Sequence, residues 1–406
     1  MLGLGRVVAS PQSGQRRQIV VFATATLFYW AALYLYVPIL PVYSQSMGAS
    51  LVVVGLVVAA YGFSQLLLRI PIGLASDRWG RRKPFCVAGL LVASAGCVVL
   101  IAAPTPDWLV IGRGIVGISA AAWVTITVMF SDWFPSEQVP GAMALLVFLS
   151  GMGQLVSTGI GGRIADVYGW KSPFFVALVM GIIGAAILLL VPEERSTRAS
   201  SPGWARMVEV GTAPRLLRVS AIGAMLQFFF WATTYAFVPI YANELGASRT
   251  TLGLLTSGAL IPYTIAAYAV SRWIGRWGAL RCAMIGLILC AVSAGVVPAI
   301  HDVLLLGLSQ ALGGLGRGFT MPVLLGLSIQ SVAPAEKATA MGVFQAVYAI
   351  GMFLGPATAG VIAETLGLTD AFLISAVMCV AGLGLLAVER GRSVRRSALE
   401  DSREKI

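Results

Sequence analysis

Charged residues are scarce in this sequence. Only 11% of its 406 residues are Asp, Glu, Lys or Arg, and 58% are hydrophobic. In soluble domains roughly a quarter of all residues are charged. The mean hydropathy of this sequence is +0.87. A soluble globule is therefore excluded, and we predict an all-α integral membrane protein.

Metal-binding and nucleotide-binding patterns are also missing. The sequence has one His and five Cys, and neither type stands at the spacing of a metal site or a disulfide framework. No glycine loop of the P-loop type is present, and no nucleophile stands out with a matching base. We therefore expect no metal, no cofactor and no enzyme activity.

Long apolar runs are the main feature that is present. A membrane-spanning helix needs about 20 apolar residues, and charged or turn residues separate twelve such runs. The runs are 19–43, 51–75, 84–103, 108–131, 138–162, 172–192, 216–242, 250–271, 280–299, 303–331, 338–363 and 370–389. We predict twelve transmembrane helices in two six-helix bundles, 19–192 and 216–389, with an N-terminal segment 1–18, a linker 193–215 and a tail 390–406.

The two halves repeat one pattern at an offset of 239 − 41 = 198 residues. Residues 41–80 and 239–278 share Gly, Pro, Trp and Arg in one register, as in the pairs Pro41/Pro239, Gly48/Gly246, Arg78/Arg276, Trp79/Trp277 and Gly80/Gly278. Internal duplication of this kind is typical of membrane transporters. We therefore expect the two bundles to be pseudo-symmetric.

Lys and Arg are distributed unevenly between the two sides of the predicted spans. Of 28 such residues, three lie within spans and three lie on one side, namely Arg163, Lys171 and Arg249. The other 28 − 3 − 3 = 22 lie opposite. The positive-inside rule places both termini and the linker in the cytoplasm, so we predict a multi-pass protein of the cell (inner) membrane. Anionic lipids balance the net charge, and no nucleic-acid partner is indicated.

The loop between the second and third spans combines glycine, one acid and several arginines. It contains Gly73, Asp77, Arg78, Gly80, Arg81 and Arg82. Topology alone requires only positive charge, whereas Asp77 can pair with neighbouring Arg side chains and latch one state. The loop resembles the signature loop of the major facilitator superfamily, and the chain is similar to its twelve-span drug:proton antiporter branch. This resemblance implies alternating access with these residues as a gate. The second copy has Gly275 in place of Asp77.

Three arginines fall inside predicted spans, where each costs about 2.5 to 3.5 kcal/mol near the helix centre. Arg69 either functions there or snorkels to the surface. The run from Gly112 to Gly117 resembles a fourth-helix motif of the antiporter branch, which implies that Arg113 takes part in proton coupling. Arg317 stands among glycines and is expected to face a cavity. No Asp or Glu lies deep in a span. If protons are coupled, Asp77 or Asp132 near Arg113 would have to carry them.

Aromatic and amide side chains in the first helix of each half are candidates for substrate binding. These candidates are Trp30, Tyr34, Gln227 and Trp231, with Gln345 in the eleventh span. Ordinary packing or an interfacial aromatic belt is the alternative. The eleventh span also resembles a glycine and proline motif of antiporters, at Gly342, Gly351, Gly355, Pro356 and Gly360. A bent, closely packed helix explains that pattern equally well.

These features together predict a secondary active transporter that moves a small molecule across the membrane by alternating access. Our first expectation is proton-coupled efflux of drug-like or metabolite compounds by a monomer. One alternative is an importer or exchanger of organic anions, in which Arg113 and Arg317 bind a carboxylate or phosphate. Another is a non-transporting membrane receptor or assembly protein. The Asp77 loop argues against that alternative, because a static scaffold needs no gate.

Overall fold

Helices account for nearly all of the secondary structure. The structure is a computed structural model that describes residues 13–135, 138–192, 204–330, 332 and 336–404, and no strand occurs in these ranges. Eleven of the described helices are long and apolar enough to cross a membrane. The chain is therefore a multi-pass membrane protein, and the predicted all-α class is confirmed.

Each apolar run of the first half contains at least one helix. The helices are α1 (Ser13–Tyr34), α2 (Leu40–Ser46), α3 (Leu51–Trp79), α4 (Lys83–Ala102), α5 (Pro106–Ala121), α6 (Trp123–Ser131), α7 (Val139–Tyr168) and α8 (Ser172–Leu189). The first predicted span, which contains α1 and α2, is not among these eleven described helices. Helix α3 runs on to Trp79 and so carries Asp77 in its last turn.

The second half follows the same order. After a short helix α9 (Trp204–Gly211), its helices are α10 (Pro214–Ala232), α11 (Val238–Glu244), α12 (Arg249–Trp277), α13 (Ala279–Gly295), α14 (Val303–Gln330), α15 (Lys337–Thr365) and α16 (Leu368–Glu404). Residues 193–203 of the predicted linker and residues 1–12 of the N-terminal segment lie outside the described residues. Helix α16 continues through most of the predicted tail.

Glycines end the helices at matching positions in the two halves. Among the described residues, those with positive φ are all glycines, at Gly48, Gly80, Gly169, Gly246, Gly278 and Gly367. They form three pairs, since 246 − 48, 278 − 80 and 367 − 169 all equal 198. Positive φ at the end of a helix favours glycine, which has no Cβ to clash. The repeat therefore extends from the sequence to the backbone.

The first transmembrane segment of each half is interrupted. A turn over 35–39 separates α1 from α2, and a π-helix, Thr233–Phe237, separates α10 from α11. Both breaks obey the same offset, because 233 − 35 and 237 − 39 equal 198. The turn at 35–39 contains Pro38. Residues Pro214–Glu244 still form one candidate membrane span, which the π turn alters only locally. Such turns are frequent at functional sites.

Contacts divide the chain into two compact units. The first comprises Met1–Ser201 with Pro239–Ser257, and the second comprises Pro202–Val238 with Gly258–Ile406. The segment Pro239–Ser257 belongs to the second sequence repeat, but it packs in the first unit. Within that unit, Arg249 Nη1 donates to the carbonyl oxygen of Ala165 at 2.8 Å, and Asp166 accepts from the backbone N–H of Thr250 at 2.7 Å.

Candidate functional site

A three-residue ionic network lies at the end of α3 in the first unit. Arg82 Nη1 lies 2.8 Å from Asp77 Oδ1, and Arg82 Nε lies 3.2 Å from Asp132 Oδ2. Gly80, with φ of 65°, reverses the chain after α3 and so brings Arg82 to the start of α4. Asp132 follows the last turn of α6. One guanidinium therefore ties together the ends of three helices.

The other residues of this loop differ in their surroundings. Arg78 and Arg81 are exposed, while Arg82 is partly buried. A Cβ on Gly73 would lie 3.6 Å from Val124, an ordinary contact, so close packing does not require glycine there. Among the described residues, Arg82 is the loop arginine that bonds to carboxylates. Its second partner, Asp132, is 50 residues away, and no sequence pattern predicts that pairing.

Arg113 is 1% exposed in the first unit. Its Nη1 donates to the hydroxyl of Tyr36 at 3.4 Å, and its Cζ lies 4.4 Å from the ring centroid of Tyr61. It makes no ion pair with any described residue. Asp77 and Asp132 both pair with Arg82 instead.

Glycines position Arg113 between neighbouring helices. A Cβ on Gly117 would lie 2.6 Å from the carbonyl oxygen of Tyr61 on α3, and one on Gly112 would lie 2.7 Å from Leu100 on α4. Helix α5 can approach both neighbours only because these positions carry no side chain. The glycine run thus places the guanidinium on the Tyr61 ring.

Arg69 does not snorkel. It is 4% exposed, and its Nη2 donates to the side chain of Gln65, one helical turn earlier on α3. The alternative of a surface-seeking side chain is therefore wrong for Arg69. A local amide partner keeps it buried.

Trp30 and Tyr34 extend the aromatic surroundings of Arg113. Their ring centroids lie 5.4 Å apart, and Tyr34 lies 6.4 Å from Tyr61. Trp30 also contacts Trp123 at 4.9 Å, and its indole Nε1 is buried with no hydrogen-bond partner among the described residues. In the first unit, the predicted aromatic candidates therefore lie together with Arg113.

Arg317 has a similar environment in the second unit. Its Cζ lies 3.8 Å from the ring centroid of Phe230 and 4.7 Å from that of Tyr263. Gln227 lies one turn before Phe230 and Trp231 on α10. It is 4% exposed, and its Oε1 has no hydrogen-bond partner among the described residues. Trp231 is buried against Tyr235, with centroids 4.9 Å apart. Gln345, on α15, is half-buried.

The glycine motif of α15 lies against α10. A Cβ on Gly355 would lie 2.6 Å from the carbonyl oxygen of Phe228, and one on Gly351 would clash with that of Ala224. Gly342 has no atom within 4 Å of such a Cβ. Pro356 and Gly360 are buried further along the same helix. The motif therefore includes two positions of close backbone contact and one open position.

The sequence prediction missed a second ionic cluster. Glu389 on α16 lies 2.8 Å from Arg218 Nε and 3.6 Å from Arg215 Nε, both on α10. Glu389 is buried and is the last residue of the predicted run 370–389, so it lies at the edge of that span and not deep within it. The available signal was the pair Arg215 and Arg218, three residues apart on one helix face, although their partner Glu389 is 171 residues from Arg218.

The fold and these sites define the class of the protein. The sequence profile described as Major Facilitator Superfamily matches residues 22–222 and 220–405, so the chain belongs to that superfamily. A structure of a bacterial homolog of the human lysosomal transporter Spinster is similar, with a TM-score of 0.77, 16% identity, and coverage of 93% of this chain and 97% of that one.

Two bacterial relatives show the range of sequence similarity. The chain is 26% identical to the inner membrane transport protein YajR of Escherichia coli (strain K12) over 264 residues, which are 62% of this chain and 58% of YajR. It is 22% identical to multidrug resistance protein 1 of Bacillus subtilis (strain 168) over 376 residues, which are 90% of this chain and 95% of that protein. The chain is therefore a transporter by family.

Proposed function

We propose that the protein is a secondary active transporter that exports a small drug-like or metabolite compound from the cytoplasm in exchange for protons. The observation that carries this proposal is the bridge from Arg82 to Asp77 and Asp132. A network that ties three helix ends through one guanidinium is suited to being broken and remade. The name of the Bacillus subtilis relative, multidrug resistance protein 1, supports efflux as the direction.

Proton exchange is proposed through the two carboxylates of this network. A carboxylate loses its ion pair with Arg82 when it is protonated, so proton binding weakens the bridge. In the proposed topology Asp77, Arg82 and Asp132 lie on the cytoplasmic side, where they would gate access. Arg113 would act as a buried positive charge held by the hydroxyl of Tyr36 and the ring of Tyr61.

The test is proton-coupled transport in everted membrane vesicles energised to an acidic interior. A pH-sensitive dye reports proton release when tetraphenylphosphonium, chloramphenicol or 2-naphthoate is added. We expect at least one of the three compounds to release protons from vesicles that contain the wild-type protein. Asp77→Asn and Arg82→Gln should insert normally and reduce this release by about tenfold or more, because each removes part of the bridge.

Arg81→Gln is the matched control, since Arg81 is adjacent to Arg82 but exposed. It should retain most of the transport. Equal transport by the Arg82→Gln and Arg81→Gln variants at equal expression would contradict the gate. If protons instead entered the vesicles together with the compound, the result would contradict export in exchange for protons.

A further inference from the structure

The guanidinium of Arg317 is held in place by aromatic rings alone. Phe230 and Tyr263 lie against it at 3.8 Å and 4.7 Å, and no described residue accepts a hydrogen bond from it or forms an ion pair with it. A guanidinium carries five N–H donors in its plane. Stacking on a ring occupies the face of the group and leaves these in-plane donors free.

The packing of α14 explains why Arg317 has this position. A Cβ on Gly318 would clash with the carbonyl oxygen of Tyr263 on α12, and a Cβ on Gly316 would clash with that of Gly286 on α13. The residues on either side of Arg317 thus press the helix against two neighbours. Backbone packing therefore fixes the point on the helix from which the Arg317 side chain extends.

Arg317 differs from Arg113 in its accessibility. Arg113 is 1% exposed and donates to the hydroxyl of Tyr36, so it is enclosed by its own partners. Arg317 is only half-buried, and its neighbours Phe230 and Tyr263 offer ring faces to the cation. Of these two arginines, Arg317 is therefore the one that a ligand can reach.

A second unsatisfied group lies on the neighbouring helix. Gln227 is 4% exposed and its Oε1 has no hydrogen-bond partner among the described residues, whereas the buried Gln310 in the same unit accepts from Thr234 Oγ1 at 3.0 Å. Gln227 lies three residues before Phe230, on the same face of α10. Buried polar atoms without partners are rare and costly. Gln227 is on the helix whose Phe230 stacks on the Arg317 guanidinium, so the two unsatisfied groups together indicate a polar group supplied by a ligand.

We propose that Arg317 binds the carboxylate of an amphipathic substrate whose apolar body packs among the aromatic residues of α10. A carboxylate matches the planar donor fork of a guanidinium in a bidentate pair. Gln227 supplies a second polar contact to the same ligand. The proposal rests on the proposed transport function only in taking the bound carboxylate as the transported compound.

The test compares three probes that share one ring system and differ in charge: 2-naphthoate, 2-naphthamide and 2-naphthylmethylamine. Thermal unfolding of the purified protein in detergent is measured against the concentration of each. We expect 2-naphthoate to raise the Tm of the wild-type protein, and the amide and the amine to require at least about tenfold higher concentrations for the same rise. That ratio corresponds to the loss of a charge-assisted hydrogen bond.

The variants identify the residue responsible. Arg317→Gln should weaken the response to 2-naphthoate by at least about tenfold, and Arg317→Lys should weaken it less, because the charge remains without the planar fork. Arg272→Gln is the matched control. Arg272 also stacks on a ring, with its Cζ 4.1 Å from the centroid of Tyr268, but it is exposed. This variant should respond like the wild type.

Two outcomes overturn the carboxylate site. One is a wild-type protein that does not prefer 2-naphthoate to the amide, and this comparison decides even if Arg317→Gln fails to fold. The other is a preference that survives in Arg317→Gln. Transport of tetraphenylphosphonium without any response to 2-naphthoate would overturn this inference and leave the transport proposal standing. A response to 2-naphthoate without transport of any compound would do the reverse.

Discussion

Arg82 and Arg113 show two ways to keep a guanidinium out of water. Arg82 has carboxylates on both sides, whereas Arg113 has two tyrosine rings and one hydroxyl. A buried charge without partners costs several kcal/mol, and a desolvated cation–π contact contributes about 2 kcal/mol. The aromatic residues near Arg113 are therefore required by its burial, whatever else they do.

The hydroxyl of Tyr36 is the part of this arrangement that can be removed alone. Tyr36→Phe keeps the ring and leaves one N–H of Arg113 unpaired, so we expect the free energy of unfolding to fall by about 1 to 2 kcal/mol. Thermal unfolding in detergent measures this as a lower Tm. Tyr43→Phe is the control, because the ring of Tyr43 packs on Phe174 at 5.5 Å and no hydrogen bond of its hydroxyl is observed among the described residues. Equal Tm values for the two variants would show that the hydroxyl does not stabilise Arg113.

Sequence distance limited what could be predicted for individual residues. The pairing of Asp77 with a nearby arginine follows from the loop itself, and Arg82 is five residues away. Asp132 is 50 residues from Arg82, and Tyr36 is 77 residues from Arg113. Contacts of this kind depend on how helices pack, which one sequence does not specify.

At the scale of helices, the sequence repeat was a reliable guide to where each element ends. Helices α3 and α12 begin and end 198 residues apart, at Leu51 and Arg249 and at Trp79 and Trp277. The starts follow Ser50 and Ser248, which accept from the backbone N–H groups of Val53 and Thr251. The ends precede Gly80 and Gly278, which have positive φ, so both kinds of boundary are visible in the sequence. The interruptions at 35–39 and 233–237 were not predicted, although Pro38 lies within the first and Pro239 follows the second, because a proline inside an apolar run does not by itself specify how the backbone turns.

The glycine motif of α15 gives a test of close helix packing. Gly351→Ala places a Cβ against the carbonyl oxygen of Ala224 on α10, so the two helices must separate. We expect a loss of stability of about 1 to 3 kcal/mol, typical of overpacking, measured as a lower Tm. Gly342→Ala adds a Cβ to the same helix with no atom within 4 Å and should leave the Tm unchanged or raise it. A Gly351→Ala protein as stable as Gly342→Ala would show that α10 and α15 can move apart without loss of stability.

At the scale of the whole molecule, the arrangement of charge predicts how the chain sits in the membrane. The 22 Lys and Arg residues on one predicted side include Arg81, and the three on the other include Lys171, which follows the end of α7. If the positive-inside rule governs insertion, Arg81 faces the cytoplasm and the end of α7 faces the exterior. The same orientation places the Arg82 bridge on the cytoplasmic side.

Single cysteines test this orientation directly. The five native cysteines are all buried, so a membrane-impermeant maleimide should not label the parent protein. Arg81→Cys lies at an exposed position, and Tyr168→Cys replaces a side chain that is 77% exposed at the end of α7. In intact cells we expect labelling of Tyr168→Cys and not of Arg81→Cys, and the reverse in everted vesicles. Labelling of Arg81→Cys in intact cells would show that the chain has the opposite orientation. The bridge at Arg82 would then lie on the exterior, and a cytoplasmic gate there would have no basis.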